Sequence, residues 1–209
     1  MPELPEVEVY RRLAETLVGR RVARVLTPDA WYLKRGLTPR GAGAALRGRT
    51  IESVRRVGKV LLLDTDGPVL GLRFGMSGRL IVDGVAGVDN LVYASNRELE
   101  AWDRFAVWFD DGGDLRVRDA RRLGGVELDP DEARFGPDAL DVKPAQLAAA
   151  LAGSTAPLKA RLMDQARLAG VGNLVADEAL WRAGLDPARP AGSLTPPELR
   201  RLHRHLRAT

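Results

Sequence analysis

The sequence contains no cysteine. That excludes disulfides and any thiolate metal site, and it fits a cytoplasmic protein. Histidine is nearly absent as well. The two present, His203 and His205, stand at i, i+2 and so face different sides of a helix, which leaves no metal site in prospect. Lysine is scarce, four residues against 28 arginines, so each lysine is singled out for inspection. No apolar run approaches the ~20 residues of a membrane span. The N-terminus carries Glu3, Glu6 and Glu8 with no basic leader before an apolar stretch, so no secretory signal is expected.

What is present describes a globular chain of 209 residues, 45% hydrophobic, with a net charge of +4. The charge is unevenly placed. Residues 1–140 hold 22 basic and 22 acidic side chains, whereas residues 141–209 hold 10 and 6. A grip on a phosphate backbone would put its excess there, although a solvated basic helix surface would too. Apolar spacing at Val9, Leu13 and Leu17 predicts an amphipathic helix over Pro5–Val18, ended by Gly19. Short β-type runs follow: Arg21–Leu26, Ile51–Arg56, Val60–Asp64, Val69–Phe74, Arg79–Val82, Ala106–Phe109, Leu115–Val117 and Gly125–Leu128. Asp66-Gly67 and Asp111-Gly112-Gly113 suit hairpin turns. Asp129–Lys143, with Pro130 and Pro137, reads as a linker. Beyond it helices are expected over Pro144–Ala152, Pro157–Gln165, Asn173–Ala183 and Pro196–Leu206. The expected fold is therefore α+β: an N-terminal helix plus β-sandwich over residues 1–130, a linker over 131–143, and a helical domain over 144–209.

The opening Met1-Pro2-Glu3-Leu4-Pro5-Glu6-Val7-Glu8 carries the sharpest chemistry. Removal of Met1 leaves Pro2 as a free secondary amine. An α-amino group titrates near ~7.7–8.0, so a useful fraction is neutral and nucleophilic at physiological pH. Attack on C1′ of a deoxyribose would expel the base and leave an iminium, which acidifies C2′ and opens the strand to β-elimination. Glu3 is the adjacent carboxyl group for proton transfer. Plain helix capping would also use Pro and acidic residues here.

This PELPEVE opening resembles that of the formamidopyrimidine-DNA glycosylase family. The resemblance implies Pro2 as nucleophile, Glu3 as general acid/base and Glu6 near the reacting sugar. It continues through Arg55-Arg56-Val57-Gly58-Lys59-Val60-Leu61, where Lys59 falls in the active site and can hold a phosphate or polarise the leaving base. In Arg73-Phe74-Gly75-Met76-Ser77-Gly78, Met76 is implied to wedge into the gap left by a flipped nucleotide, and Arg73 stands where the family commonly has His. In Asp119-Ala120-Arg121-Arg122-Leu123-Gly124, Arg121 matches the reader of the orphaned cytosine. Leu123 replaces a family aromatic, which puts opposite-base discrimination in question. Arg104 is assigned with these to the DNA-binding set.

The run Leu162–Pro187 is similar to the family's helix–two-turns–helix. There Gly170 and Gly172 allow close approach of backbone amides to phosphate, Asn173 caps a helix and bonds phosphate, and Lys159 is a further phosphate contact. The family continues into a lesion-capping loop and a four-cysteine zinc finger. Neither is found by Thr209, so this chain is expected to be a short form or a fragment, without cofactor. The implied activity is excision of oxidised purines from double-stranded DNA by a monomeric glycosylase/lyase associated with a bacterial-type nucleoid. A damage-binding remnant with lyase activity alone, or with no turnover, is the alternative. A tautomerase using an N-terminal proline is a third reading, but it gives no use to a phosphate-binding turn.

Overall fold

The computed structural model describes residues 2–88, 91, 97 and 99–209. Met1, whose removal the N-terminal chemistry requires, lies outside them. The chain divides into two compact units, Met1–Pro130 and Asp131–Thr209.

In the first unit, helix α1 (Leu4–Ala14) runs into a 3-10 turn, Glu15–Leu17. Strands β1 (Val22–Leu26), β7 (Asp103–Phe109), β8 (Asp114–Arg118), β5 (Arg79–Val82) and β6 (Val85–Ala86) form one sheet in that order. Strands β2 (Ile51–Val57), β3 (Val60–Thr65), β4 (Leu70–Arg73) and β9 (Gly125–Leu128) form the other. Neighbouring strands are antiparallel throughout. Alternate residues of both sheets, including Leu61, Leu63, Leu72, Phe105, Val107 and Val117, meet in one core with Val7, Tyr10 and Ala14 of the helix and Leu17 of the 3-10 turn. This is the expected helix-plus-sandwich. Both expected hairpin turns join paired strands, β3 to β4 and β7 to β8.

The differences are local. The buried stripe of α1 is Leu4, Val7, Tyr10 and Ala14, and Val9 is 43% exposed. The larger payload of Tyr10 decides the rotation: its ring packs on Phe74 at 4.6 Å and its hydroxyl donates to the Gly78 carbonyl at 3.1 Å. Helix α2 (Pro39–Leu46) was not expected from the sequence pattern, yet Thr38 accepts from the Gly41 N–H at 3.0 Å and Pro39 fills the first turn. The short strand β6 was likewise missed. Its hairpin turns on Asp83-Gly84, both at positive φ, as a two-residue Asp-Gly turn requires.

The second unit holds α3 (Pro144–Leu151), α4 (Leu158–Leu162), α5 (Asn173–Ala183) and α6 (Pro196–Ala208). Helix α4 stops short of the expected Gln165 because Asp164 accepts from the Ala166 N–H at 3.0 Å, a local turn that competes with the helix. The expected linker is bonded into this unit. Gly136 donates to Gln165 O, Ala139 to Ala169 O, and Ala169 back to Pro137 O, all at 2.8–2.9 Å. Helix α6 begins with a Thr195–Glu198 capping box, and Arg189 and that cap hold the Glu198 carboxyl down at about 2. Among the described residues no helix is long and apolar enough to cross a membrane.

If Thr38 starts α2 as drawn, Thr38→Ala should lower the stability of the first unit by about 1 kcal/mol. Urea unfolding followed by tryptophan fluorescence measures it, and an unchanged midpoint would show that the cap contributes nothing.

Candidate active site

Pro2 and Glu3 lie buried at the N-terminal end of α1. The Glu6 carboxylate accepts from the Glu3 N–H at 2.9 Å, and with the Glu3 side chain it forms a reciprocal capping box. The Pro2–Glu3 peptide is thereby held by the first turn of its own helix. The atoms that cap the helix also hold Pro2 and Glu3 in place.

Lys59 sits in the two-residue turn between β2 and β3, with Gly58 at φ +57 as the first turn position. The lysine is half-buried. Loss of hydration pushes its pKa below the usual lysine range, while the charge of Glu3 works against that shift. Glu3 and Lys59 therefore share one electrostatic environment, although 56 positions separate them in sequence. The link that brings them together is Arg56, whose side chain is 4% exposed. It reaches Glu8 of α1 at 3.3 Å and donates to the carbonyl of Gly58 at 2.7 Å. Arg56 carried no role in the sequence reading. Its only signal was its place in a basic pair beside Lys59.

Met76, half-buried, lies on the turn after β4, closed by a Gly78 N–H to Phe74 O bond of 2.8 Å. Arg121 and Leu123 lie on the loop between β8 and β9. Leu123 is 48% exposed, and the Arg121 guanidinium has no partner among the described residues. The two segments are in contact, since a β-carbon on Gly75 would collide with the backbone of Leu123 and Gly124. Between them lies Asp119, fully buried. Its carboxylate accepts from Ser77 Oγ, from the Arg121 N–H at 3.1 Å, from the Gly124 N–H at 2.9 Å and from Tyr32 OH at 3.2 Å. Burial, and then the Asp119 charge, push the Tyr32 hydroxyl far above its ordinary range, so it remains a donor. Neither Asp119 nor Tyr32 announced itself by pattern.

The other assigned arginines are held by protein groups. Arg73 bonds Glu127 at 2.6–2.8 Å, and Glu127 also takes Arg35 at 2.7 Å. Arg104 donates to the carbonyls of Asp119 (2.8 Å) and Ala101 (3.3 Å) and lies 3.8 Å from Asp29. The structure thus gives Arg104 a place behind the Arg121 loop.

In the second unit the α4–α5 turn is stapled by one side chain. Gln165 accepts from the Gly170 N–H at 3.0 Å and donates to Met163 O and Val171 O at 2.8 and 2.9 Å. Gly170 has φ +102, a conformation L side chains rarely adopt. Helix α5 covers the expected Asn173–Ala183, but its N-cap is Gly172, so Asn173, expected as the cap, is the first helical residue. The reason is that the Gly172 carbonyl already accepts the first intrahelical bond, from Ala176. Asn173 is exposed, and Lys159 pairs with Asp177 at 2.7 Å.

Residues 1–126 match the model of the formamidopyrimidine-DNA glycosylase N-terminal domain, and residues 135–209 match that of the formamidopyrimidine-DNA glycosylase H2TH domain. The formamidopyrimidine-DNA glycosylase of Symbiobacterium thermophilum is 41% identical over 99% of this chain and 68% of its own length. That of Paracoccus denitrificans is 41% identical over 100% and 76%. Among solved structures, the Fpg of Lactococcus lactis in complex with DNA containing an abasic site superposes with a TM-score of 0.82 at 26% identity, covering 99% of this chain and 76% of that one. MutM (Fpg) of Thermus thermophilus gives 0.80 at 35% identity, over 99% and 74%.

Burial of Lys59 has a measurable consequence. A lysine whose folded pKa is depressed binds fewer protons folded than unfolded between the two pKa values, so its penalty to folding fades as pH rises through that window. Lys59→Met should raise the urea midpoint at pH 7, and the gain should shrink as pH approaches ~10.4, the ordinary lysine value. A gain that is absent at pH 7, or one that grows with pH, would contradict the desolvated environment.

Proposed function

The chain belongs to the formamidopyrimidine-DNA glycosylase family, and from that premise we propose a bifunctional base-excision enzyme that removes 8-oxoguanine and formamidopyrimidines from duplex DNA and then cuts the strand. It acts as a monomer on nucleoid DNA in the cytoplasm, without a cofactor, and with no zinc held by these cysteine-free 209 residues.

With Met1 removed, the lone pair of Pro2 attacks C1′ of the damaged nucleotide. The glycosidic bond breaks, and the base leaves with the bonding electrons and takes up a proton. Glu3 supplies a proton to the sugar ring oxygen as the ring opens, which yields an iminium between Pro2 and C1′. Loss of a C2′ proton then forms the C2′–C3′ double bond and expels the 3′ phosphate. A second elimination releases the 5′ phosphate, and water frees Pro2. Lys59 places positive charge where negative charge develops, on the leaving base or the neighbouring phosphate. The observation that carries this reading is the seating of α1, which puts the buried Glu3 within the field of Lys59.

Met76, Arg121 and Leu123 fill and read the gap opposite the extruded nucleotide, and Glu6 keeps the Pro2–Glu3 peptide in place. Arg73 reaches phosphate while anchored on Glu127. Lys159, Gly170, Gly172 and Asn173 grip the DNA backbone through the second unit. Lys159 exchanges Asp177 for phosphate on binding.

Borohydride trapping on duplexes carrying an abasic site or 8-oxoguanine tests the chemistry. The parent chain should be captured on both, and Pro2→Gly or an N-terminal extension should abolish capture. Glu3→Gln should slow base release by about 10²-fold or more. Full trapping by an N-terminally extended protein would sink the assignment of Pro2, and capture at the abasic site alone would leave a lyase without excision. For the grip, Lys159→Ala should weaken binding to all sequences alike and reduce the salt slope by about 0.9, and Asn173→Ala, which removes a neutral contact, should weaken binding to all sequences alike with no change in lesion preference. A change in lesion preference with an unaltered slope would contradict the phosphate contacts.

A further inference from the structure

Asp119 is a carboxylate tied at once to the turn that carries Met76 and to the loop that carries Arg121 and Leu123. One carboxylate oxygen takes Ser77 Oγ and the Arg121 N–H, and the other takes the Gly124 N–H and Tyr32 OH. The residue is also fixed from behind. Its own N–H donates to Trp102 O at 2.9 Å, and its carbonyl accepts from Arg104 at 2.8 Å. The first unit therefore holds a buried anion with four donors on its carboxylate, drawn from three separate stretches of chain. Nothing in the proposed chemistry uses this charge directly.

We propose that Asp119 is a positioning residue for opposite-base recognition, locking the Met76 turn and the Arg121–Leu123 loop into one rigid reading device. Three features of the site support this. The charge is required by its partners: two of the four are backbone N–H groups, one on each oxygen, and these cannot reverse their role. An asparagine in either orientation would set its NH2 group against one of those N–H donors. The bond to the Arg121 N–H fixes the backbone from which a guanidinium without a partner among the described residues projects. The clash that any side chain at Gly75 would make with Leu123 and Gly124 shows that the two segments cannot shift independently. A long, flexible Arg side chain discriminates bases through paired hydrogen bonds only if its root is immobile, because angular error at the backbone is amplified at the tip. Tyr32 supports the same anion from the other side, joining the loop to the segment that precedes α2.

This inference rests on the reading of Arg121 as the orphan-base reader, so its test is separated from the chemistry. Equilibrium binding is measured to duplexes carrying a tetrahydrofuran abasic analogue opposite each of the four bases, for the parent, Asp119→Asn, Arg121→Ala and the double variant. The parent should prefer one opposite base. Asp119→Asn should reduce that preference by about tenfold, within the range carried by one bidentate base contact, while still binding the duplexes. In the Arg121→Ala background it should produce no further loss of preference, whereas a merely structural defect would add to it. Amide hydrogen exchange at Arg121 and Gly124 should accelerate in Asp119→Asn. Should that variant fail to fold, Ser77→Ala and Tyr32→Phe remove one donor each without leaving an opposed pair and should lower the preference in the same direction. A parent with no preference among the four bases, or preference and exchange unchanged in all three variants, overturns the inference. Failure of borohydride capture by a parent that still shows the preference would overturn the catalytic reading alone.

Discussion

The arrangement depends on how one helix is seated. Helix α1 must lie on the sandwich in a single rotation and a single axial position if the residues at its start, Pro2 and Glu3, are to act as proposed. Tyr10 sets the rotation by burying its ring against Phe74 and satisfying its hydroxyl on Gly78. Glu8 and Arg56 set the position, since Arg56 continues to the carbonyl of Gly58 in the Lys59 turn. A buried hydroxyl without a partner costs more than a hydrogen bond returns, so slipping the helix by one residue would be penalised at both points. The same contacts join α1 to the Met76 turn, through Gly78. The proposed catalytic end and the proposed Met76 wedge are thus fixed to one rigid body rather than placed separately.

A second theme is the use of arginine. The first unit is rich in it, yet most of the functionally placed guanidinium groups are neutralised by a carboxylate of the same unit. Arg73 and Arg35 share Glu127, Arg122 takes Asp29 in a bidentate pair, and Arg56 takes Glu8. Burial of a charge is tolerable only with such pairing and with the remaining donors satisfied. This explains a unit that is basic in its motifs and only slightly basic in net charge. Against that background the Arg121 guanidinium, without a partner among the described residues, stands out, and it is this that suits it to the proposed reading of a base edge. Lys59 is the opposite case. Its position costs hydration, offset in part by Glu3, and a cost of that kind is what a site accepts in order to keep a cation where charge develops.

Much of the molecule was legible in the amino-acid order alone. Alternating short apolar runs between Asp-Gly turns determined the sandwich strands, because a half-buried sheet imposes a period of two and a hairpin imposes its turn residues. Pro2 and Glu3 were singled out by the chemistry an N-terminal proline offers, and Lys59 and the Gly170–Asn173 turn by resemblance to a family's motifs; the turn's glycine at positive φ is the part of this that local backbone geometry explains. Thr38-Pro39 and Asp83-Gly84 carried the same kind of signal for α2 and β6, although a weak apolar pattern around them hid it. What only the tertiary structure decided is whatever depends on partners distant in sequence. The buried face of α1 followed from Phe74 and Gly78, not from the spacing of Val9, Leu13 and Leu17. The meeting of Glu3 with Lys59, the enclosure of Asp119 by Ser77, Arg121, Gly124 and Tyr32, and the turning of Arg104 behind the loop rest on side-chain bonds across tens of residues. Such bonds leave no periodicity in the sequence, because a buried charge is located by the three-dimensional position of its donors and not by their order along the chain.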